Sequence, residues 1–167
     1  MLIQATELLL FPALMAFAAS SDLLTMTISN RVSLLLAAGF AVLAVVTGMS
    51  LTEIGWHVAA GAAVLVIAFV FFARGWIGGG DAKLAAATAL WFGFPHLLDY
   101  LIYASLLGGA LTLLLLQWRN WPLPAFLARQ SWAQRLHDRN SGIPYGIALA
   151  AAALAIYPHT IWMTPAS

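Results

Sequence analysis

Six long apolar stretches separated by short polar joints make up most of this chain: residues 3–21, 31–49, 54–73, 82–95, 97–117 and 143–163. All but the fourth come close to the roughly 20 apolar residues that a helix needs to cross a bilayer. They are apolar on every side and lack the two-residue alternation of a membrane β-strand. The pattern predicts an all-α, polytopic membrane protein with about six transmembrane helices. In the short fourth stretch, Leu84-Ala85-Ala86-Ala87 suits close helix packing. Gly93-Phe94-Pro95 ends it, since proline disfavours helix at the residue before it. The tight joint to the fifth stretch predicts an antiparallel pair. No internal repeat is visible.

The start of the chain has a second reading. Leu8 to Ala19, followed by Ser20-Ser21, has the outline of a signal peptide with a small-residue cleavage site. A signal peptide carries a positive n-region, whereas Gln4 and Glu7 precede this run. It is read as a retained first span.

Only one polar connection is long, Trp118 to Gly142, taken as a cytoplasmic surface loop (118–142) within a single membrane domain (1–167). Pro122 and Pro124 open it. Phe126, Leu127, Ala133 and Leu136 then recur near a helical period, against Arg129, Gln130, Gln134 and Arg135. This predicts a short amphipathic helix on the membrane surface. Aromatics interleaved with arginines also occur in single-strand nucleic-acid binders. Tryptophan beside a span is an interface anchor, so no nucleic-acid partner is expected and the arginines are assigned to lipid head groups.

Composition agrees with a membrane protein. Of 167 residues 63% are hydrophobic and 8% charged, with a mean hydropathy of +0.92. A soluble domain is about a quarter charged. There is no cysteine, which excludes disulfides, thiolate nucleophiles and cysteine zinc sites. The formal net charge of +1 leaves no basic face of the size nucleic acid requires.

The distribution of charge sets a topology. Arg31, Arg74, Lys83, Arg119, Arg129, Arg135 and Arg139 all fall between spans 1 and 2, 3 and 4, or 5 and 6. The positive-inside rule places these connections in the cytoplasm and both termini outside. Glu7, Glu53 and Asp99 then lie on the outer side, and Asp22, Asp81 and Asp138 on the cytoplasmic side. Asp138, between Arg135 and Arg139, is read as a surface ion-pair partner. Asp22, just past the end of span 1, and Asp81, at the start of span 4, remain.

If spans 1 and 4 pack together, these two acids meet. Two apposed carboxylates share a proton and titrate as a pair. The ionised member can then take a proton from water while the protonated one polarises a carbonyl, which is peptide hydrolysis without a metal. The structural reading keeps them apart, with Asp22 a helix-end carboxylate, Asp81 an N-cap and the glycines before it a non-helical turn. Other chemistries have weaker support. His57, His96, His137 and His159 lack paired metal-ligand spacing, and Ser20 and Ser21 lack a nucleophile-elbow context. Gly78-Gly79-Gly80 lacks the strand that a phosphate-binding loop requires. No metal or cofactor is expected.

Beyond the pair, the motifs resemble a family. Gly78-Gly79-Gly80-Asp81-Ala82-Lys83-Leu84 resembles the G-x-G-D signature of GxGD intramembrane aspartyl proteases, in the G-G-G-D-x-K-L form of type IV prepilin peptidases. Asp22 followed by Ile28-Ser29-Asn30-Arg31 is similar to that family's first motif, an aspartate and then Ile-Pro-Asn. Ile143-Pro144-Tyr145-Gly146 resembles its C-terminal Pro-aromatic-Gly segment. The resemblance implies that Asp22 and Asp81 are catalytic and that Gly78, Gly80, Lys83, Asn30, Pro144, Tyr145 and Gly146 shape the site. It implies removal of a short basic leader from prepilins at the cytoplasmic face of a bacterial inner membrane, next to the substrate's apolar helix. Lys83 either positions Asp81 or snorkels to the surface. Ser29 stands where the family has proline, which leaves the stiffness of that loop open. The cysteine-rich cytoplasmic insertion of the larger members is missing, so the chain is similar to the compact Tad/Flp-pilus enzymes without N-methylation. The alternative is a small proton- or ion-coupled transporter using Asp81 and Lys83. Such sites favour the bilayer midplane and repeated halves. Oligomeric state is not readable.

Overall fold

The computed structural model describes residues 2–163, with side chains described at Thr6 and from Leu8 onward, so the Glu7 side chain lies outside the described set. The described residues form α1 (Leu2–Thr25), α2 (Asn30–Val46), α3 (Leu51–Ala73), α4 (Gly79–Trp118), α5 (Ser131–His137) and α6 (Tyr145–Ile156), then a 3-10 turn over Tyr157–His159. No strand occurs among them. Three helices are long and apolar enough to cross a membrane, over Leu8–Thr25, Leu51–Ala73 and Gly79–Trp118, and Asn30–Val46 and Tyr145–His159 are shorter apolar helices.

The expected fourth and fifth stretches both lie in α4, which breaks at Gly93 (φ 60°, ψ −176°). On one straight helix Leu97 and Ala86 would stand about 16 Å apart. Instead Leu97 packs back onto the cluster of Val64, Ala86 and Ala89. The limbs 79–92 and 94–118 are therefore folded together, as the joint predicts. The break needs a substitute for a lost helical bond. The Leu90 carbonyl, which a continuous helix would give to the N–H of residue 94, accepts instead from His57 Nδ1 on α3 at 2.8 Å. A Cβ on Gly93 would lie 3.0 Å from the His57 ring, on a backbone that side chains rarely adopt. Gly93→Ala is expected to destabilise the fold by about 1–3 kcal/mol. Thermal unfolding in detergent checks this, with Gly55→Ala, where a methyl meets open space, as the control.

Aromatic residues gather the core around α4. Phe11 of α1 stacks on Tyr157 at 4.5 Å. Trp91 Nε1 donates to the Leu36 carbonyl at 2.8 Å, and Trp162 Nε1 donates to the Trp91 carbonyl at 2.8 Å. Each indole thus buries its rings in apolar surroundings while its N–H finds a carbonyl, tying α2, α4 and the C-terminal turn together.

The long polar connection departs from expectation. Its helix covers only Ser131–His137. Phe126 and Leu127 lie in turns closed by Leu127 N–H to the Pro124 carbonyl at 2.9 Å and Gln130 N–H to the Leu127 carbonyl at 2.9 Å. Ala133 and Leu136 are buried, and α5 packs on α1 and α4, so its apolar face meets protein. Arg119 fixes the segment, donating from Nε to the Leu136 carbonyl at 2.7 Å and from Nη2 to the Gly142 carbonyl at 2.8 Å. The ion pair expected for Asp138 does not form. Asp138 accepts from the Asn140 N–H at 2.9 Å, Arg135 reaches the Leu24 carbonyl, and Arg139 binds Asn120 Oδ1 at 3.0 Å. Exposed carboxylates and guanidinium groups gain little from pairing, so nearby carbonyls compete well.

Candidate active site

One end of the bundle collects the termini of five helices. α1 and α3 end there, and α2, α4 and α6 begin there. Asp22 sits in the last turn of α1, which runs to Thr25, so the aspartate is helical and does not follow the span as expected. It is 4% exposed. Its Oδ2 accepts from the Gly146 N–H at 2.7 Å, in the first turn of α6. A helix N-terminus turned on a carboxylate is a favourable arrangement, because its free N–H groups and the helix dipole both favour the anion.

The loop after Asp22 is braced by hydroxyls. Ser21 Oγ donates to the Thr27 carbonyl at 2.9 Å, and Thr25 Oγ1 donates to the Ser21 carbonyl at 2.7 Å. They hold Met26 at φ 54°, an uncommon value for a residue with a side chain. Ser29 caps α2, its side chain accepting from the Arg31 N–H, with φ −64°. That is the angle a proline would impose, so a proline at position 29 would fit this backbone without change.

Asp81 belongs to the first turn of α4, and the N-cap is Gly78. The Asp81 carboxylate turns back toward the Gly78 backbone. The glycine run is therefore not a non-helical loop, since Gly79 and Gly80 are already in α4. These glycines serve close approach. A Cβ would meet Asp81 Oδ2 at 2.9 Å from Gly78, the Phe72 ring at 3.2 Å from Gly79, and Ile28 Cβ at 3.1 Å from Gly80.

Ile28 ties the two acids into one site. Its backbone and Cβ lie against Gly80, and its Cδ1 would be 2.6 Å from a Cβ on Gly146. Asp22 and Asp81 come within electrostatic reach of each other. No ion pair to either occurs among the described residues; Asp22 is held by the Gly146 N–H, and Asp81 lies against the Gly78 backbone. A cation held between them would keep both ionised. Without one, two nearby carboxylates are suited to sharing a proton.

The remaining expected residues occupy the rim. Lys83 Nζ donates to Asn30 Oδ1 at 2.8 Å, joining the start of α4 to the start of α2. Pro144 is the N-cap of α6. The Tyr145 ring fills the space where Gly108, in the second limb of α4, has no side chain. Four roles escape sequence reasoning: the packing of Ile28 between Gly80 and Gly146, the space left by Gly108, Tyr100 beside Asp81, and the Gly146 N–H as a donor. Fully buried Tyr100 comes within electrostatic reach of Asp81, and its hydroxyl points to Thr88 without closing a bond of standard geometry. Only the folded-back α4 brings Tyr100 there, and no local signal announces it.

An all-helical membrane protein with two carboxylates gathered at one end of its bundle is the class these features define. A model of the type IV leader peptidase family matches residues 9–113, more than half of the chain, and the chain belongs to that family of peptidases. The match includes Asp22, Asn30, Gly78, Gly80, Asp81 and Lys83 and stops before Pro144, Tyr145 and Gly146. Neither curated proteins nor solved structures gave a match.

Proposed function

We propose that this protein is an aspartic endopeptidase that removes the short leader from prepilins at the cytoplasmic face of a bacterial inner membrane, with Asp22 and Asp81 as its catalytic pair. The observation that carries the reading is the convergence of these two carboxylates, neither of them ion-paired among the described residues, at one end of the bundle. In the reaction, one carboxylate takes a proton from water, which attacks the scissile carbonyl. The other donates a hydrogen bond to the carbonyl oxygen and then a proton toward the leaving amine. The Gly146 N–H orients Asp22, and Gly78 and Gly80 let Asp81 approach the α1–α2 loop.

In the same reading the chain crosses the membrane six times with both termini outside, the two limbs of α4 counting as separate passes. The arginine-bearing connections then share the cytoplasmic side with the acids. The enzyme needs no metal and performs no N-methylation, in keeping with the compact Tad/Flp-pilus type. Co-expression with a candidate prepilin tests the activity, read as loss of the leader on a gel and by mass spectrometry of the new N-terminus. Cleavage by the purified enzyme is expected to be unchanged after exhaustive chelation. A rate lost on chelation and restored by a divalent cation would reject the two-carboxylate mechanism.

A further inference from the structure

Where the second limb of α4 ends at Trp118, a cavity of about 260 Å³ is lined by Leu116, Arg119, Asn120 and Arg139. Arg119 is buried, and its Nε and Nη2 donate to the Leu136 and Gly142 carbonyls. Its Nη1 has no bond among the described residues and is open to solvent. Exposed Arg139 reaches in from the other side. Its Nη2 donates to Asn120 Oδ1 at 3.0 Å and lies 3.5 Å from the Arg119 carbonyl. Every one of these acceptors is neutral. Neither guanidinium is ion-paired among the described residues, and Asp138, next to Arg139 in sequence, accepts instead from the Asn140 N–H at 2.9 Å. Carbonyls satisfy N–H groups but leave two positive charges at one cavity uncompensated. A buried charge is costly unless it meets its opposite, so this cavity suits an anion. Guanidinium forks match the paired oxygens of a phosphate.

The surroundings say which kind of phosphate. Leu116, which lines the cavity, is exposed, and so is Leu113 one turn earlier on the same limb. Trp121, just beyond the limb, is exposed as well, as tryptophans at the head-group level of a membrane are. An apolar track thus leads out of the cavity along the helix. The cavity itself is smaller than the roughly 300–1,000 Å³ clefts that take whole drug-sized molecules. It has room for a head group's phosphate and leaves the chains outside.

We propose that Arg119 and Arg139 bind the phosphate of an anionic phospholipid, with one acyl chain lying along Leu116 and Leu113. Of the four arginines in the long connection, only these two line the cavity. The inference goes beyond the peptidase reading and does not depend on it. The bound phosphate neutralises the side chain that anchors Gly142, four residues before the Gly146 N–H that holds Asp22.

Thermal unfolding in a neutral detergent tests the site, with dioctanoyl phosphatidylglycerol as the probe. A ligand held by the folded chain must stabilise it, and at about a hundredfold excess over its Kd the midpoint is expected to rise by about 5–10 °C. Dioctanoyl phosphatidylcholine, which carries a phosphate but no net charge, and inorganic phosphate are expected to give little or no shift. Arg139→Gln is expected to lose most of the phosphatidylglycerol shift, measured against its own unliganded midpoint. Arg119→Gln would also free the Leu136 and Gly142 carbonyls, so Arg139 is the better position. Arg129→Gln removes the same charge from the same connection but outside the cavity, and is expected to keep the shift. No shift in the wild type, or an undiminished one in Arg139→Gln, would overturn the proposal. Equal loss from Arg129→Gln would show a diffuse attraction of the basic loop in place of a site. A full shift with inorganic phosphate alone would give the cavity to a soluble phosphate and reject the lipid.

Discussion

Asp22→Asn and Asp81→Asn, each made alone, are expected to lower leader cleavage by about 10²–10⁴-fold or more, while the protein inserts in normal amounts. The substitution keeps the shape of each side chain. An asparagine at 22 still offers an oxygen to the Gly146 N–H that Asp22 holds at 2.7 Å, and one at 81 fills the same space against Gly78. Packing around Ile28 is preserved, so the loss is chemical: neither the base nor the acid role can be filled by an amide. The double variant is expected to be no slower than either single one, because a pair that shares one proton fails as a unit. Asp99→Asn, at an exposed position apart from the pair, serves as the control and is expected to cleave normally. Retained cleavage in either single variant rules out the pair. Ion flux in proteoliposomes without proteolysis favours the transporter reading instead.

How much of this could be read from the chain depends on whether a residue's partner is local. Apolar length and the one-sided distribution of Lys and Arg are properties of segments, and they point to the helices and to Asp22 and Asp81. The fold-back of α4 is readable because Gly93 and Pro95 act on their own backbone. The partner that completes the break, His57, is not, since its bond to the Leu90 carbonyl exists only once α3 packs beside α4. The glycine run misleads for a related reason. Three glycines in sequence read as a turn, yet Gly79 and Gly80 are helical and small because Phe72 and Ile28 press on them. α5 is overestimated because a helical period in Phe126–Leu136 is counted without the competing turns that follow Pro124. For Asp138, proximity to Arg135 and Arg139 in sequence says little where backbone carbonyls are available to both arginines.

Gly146→Ala tests whether the α6 terminus sets the position of Asp22. Alanine is the better helix former, by about 1 kcal/mol, and Gly146 does not have a left-handed backbone, so propensity alone favours the change. The added Cβ, however, would meet Ile28 Cδ1 at 2.6 Å, Asp22 Oδ2 at 2.8 Å and Asp22 Cγ at 3.1 Å. The methyl of Ile28 is the end of a flexible side chain and can turn away. The carboxylate cannot retreat without losing the Gly146 N–H. A displacement on the order of 1 Å at a reacting group costs about 10²-fold in rate, and the expected result is a fall in kcat of that size. Adding Ile28→Val removes the nearest contact and leaves the one to Asp22, so the double variant is expected to recover thermal stability but not cleavage. Gly109→Ala, where a methyl meets nothing within 4 Å, is expected to keep wild-type activity. Single-turnover cleavage and detergent-phase unfolding on the same preparations separate the two effects. A Gly146→Ala enzyme that cleaves within twofold of wild type shows that Asp22 needs no orientation from α6.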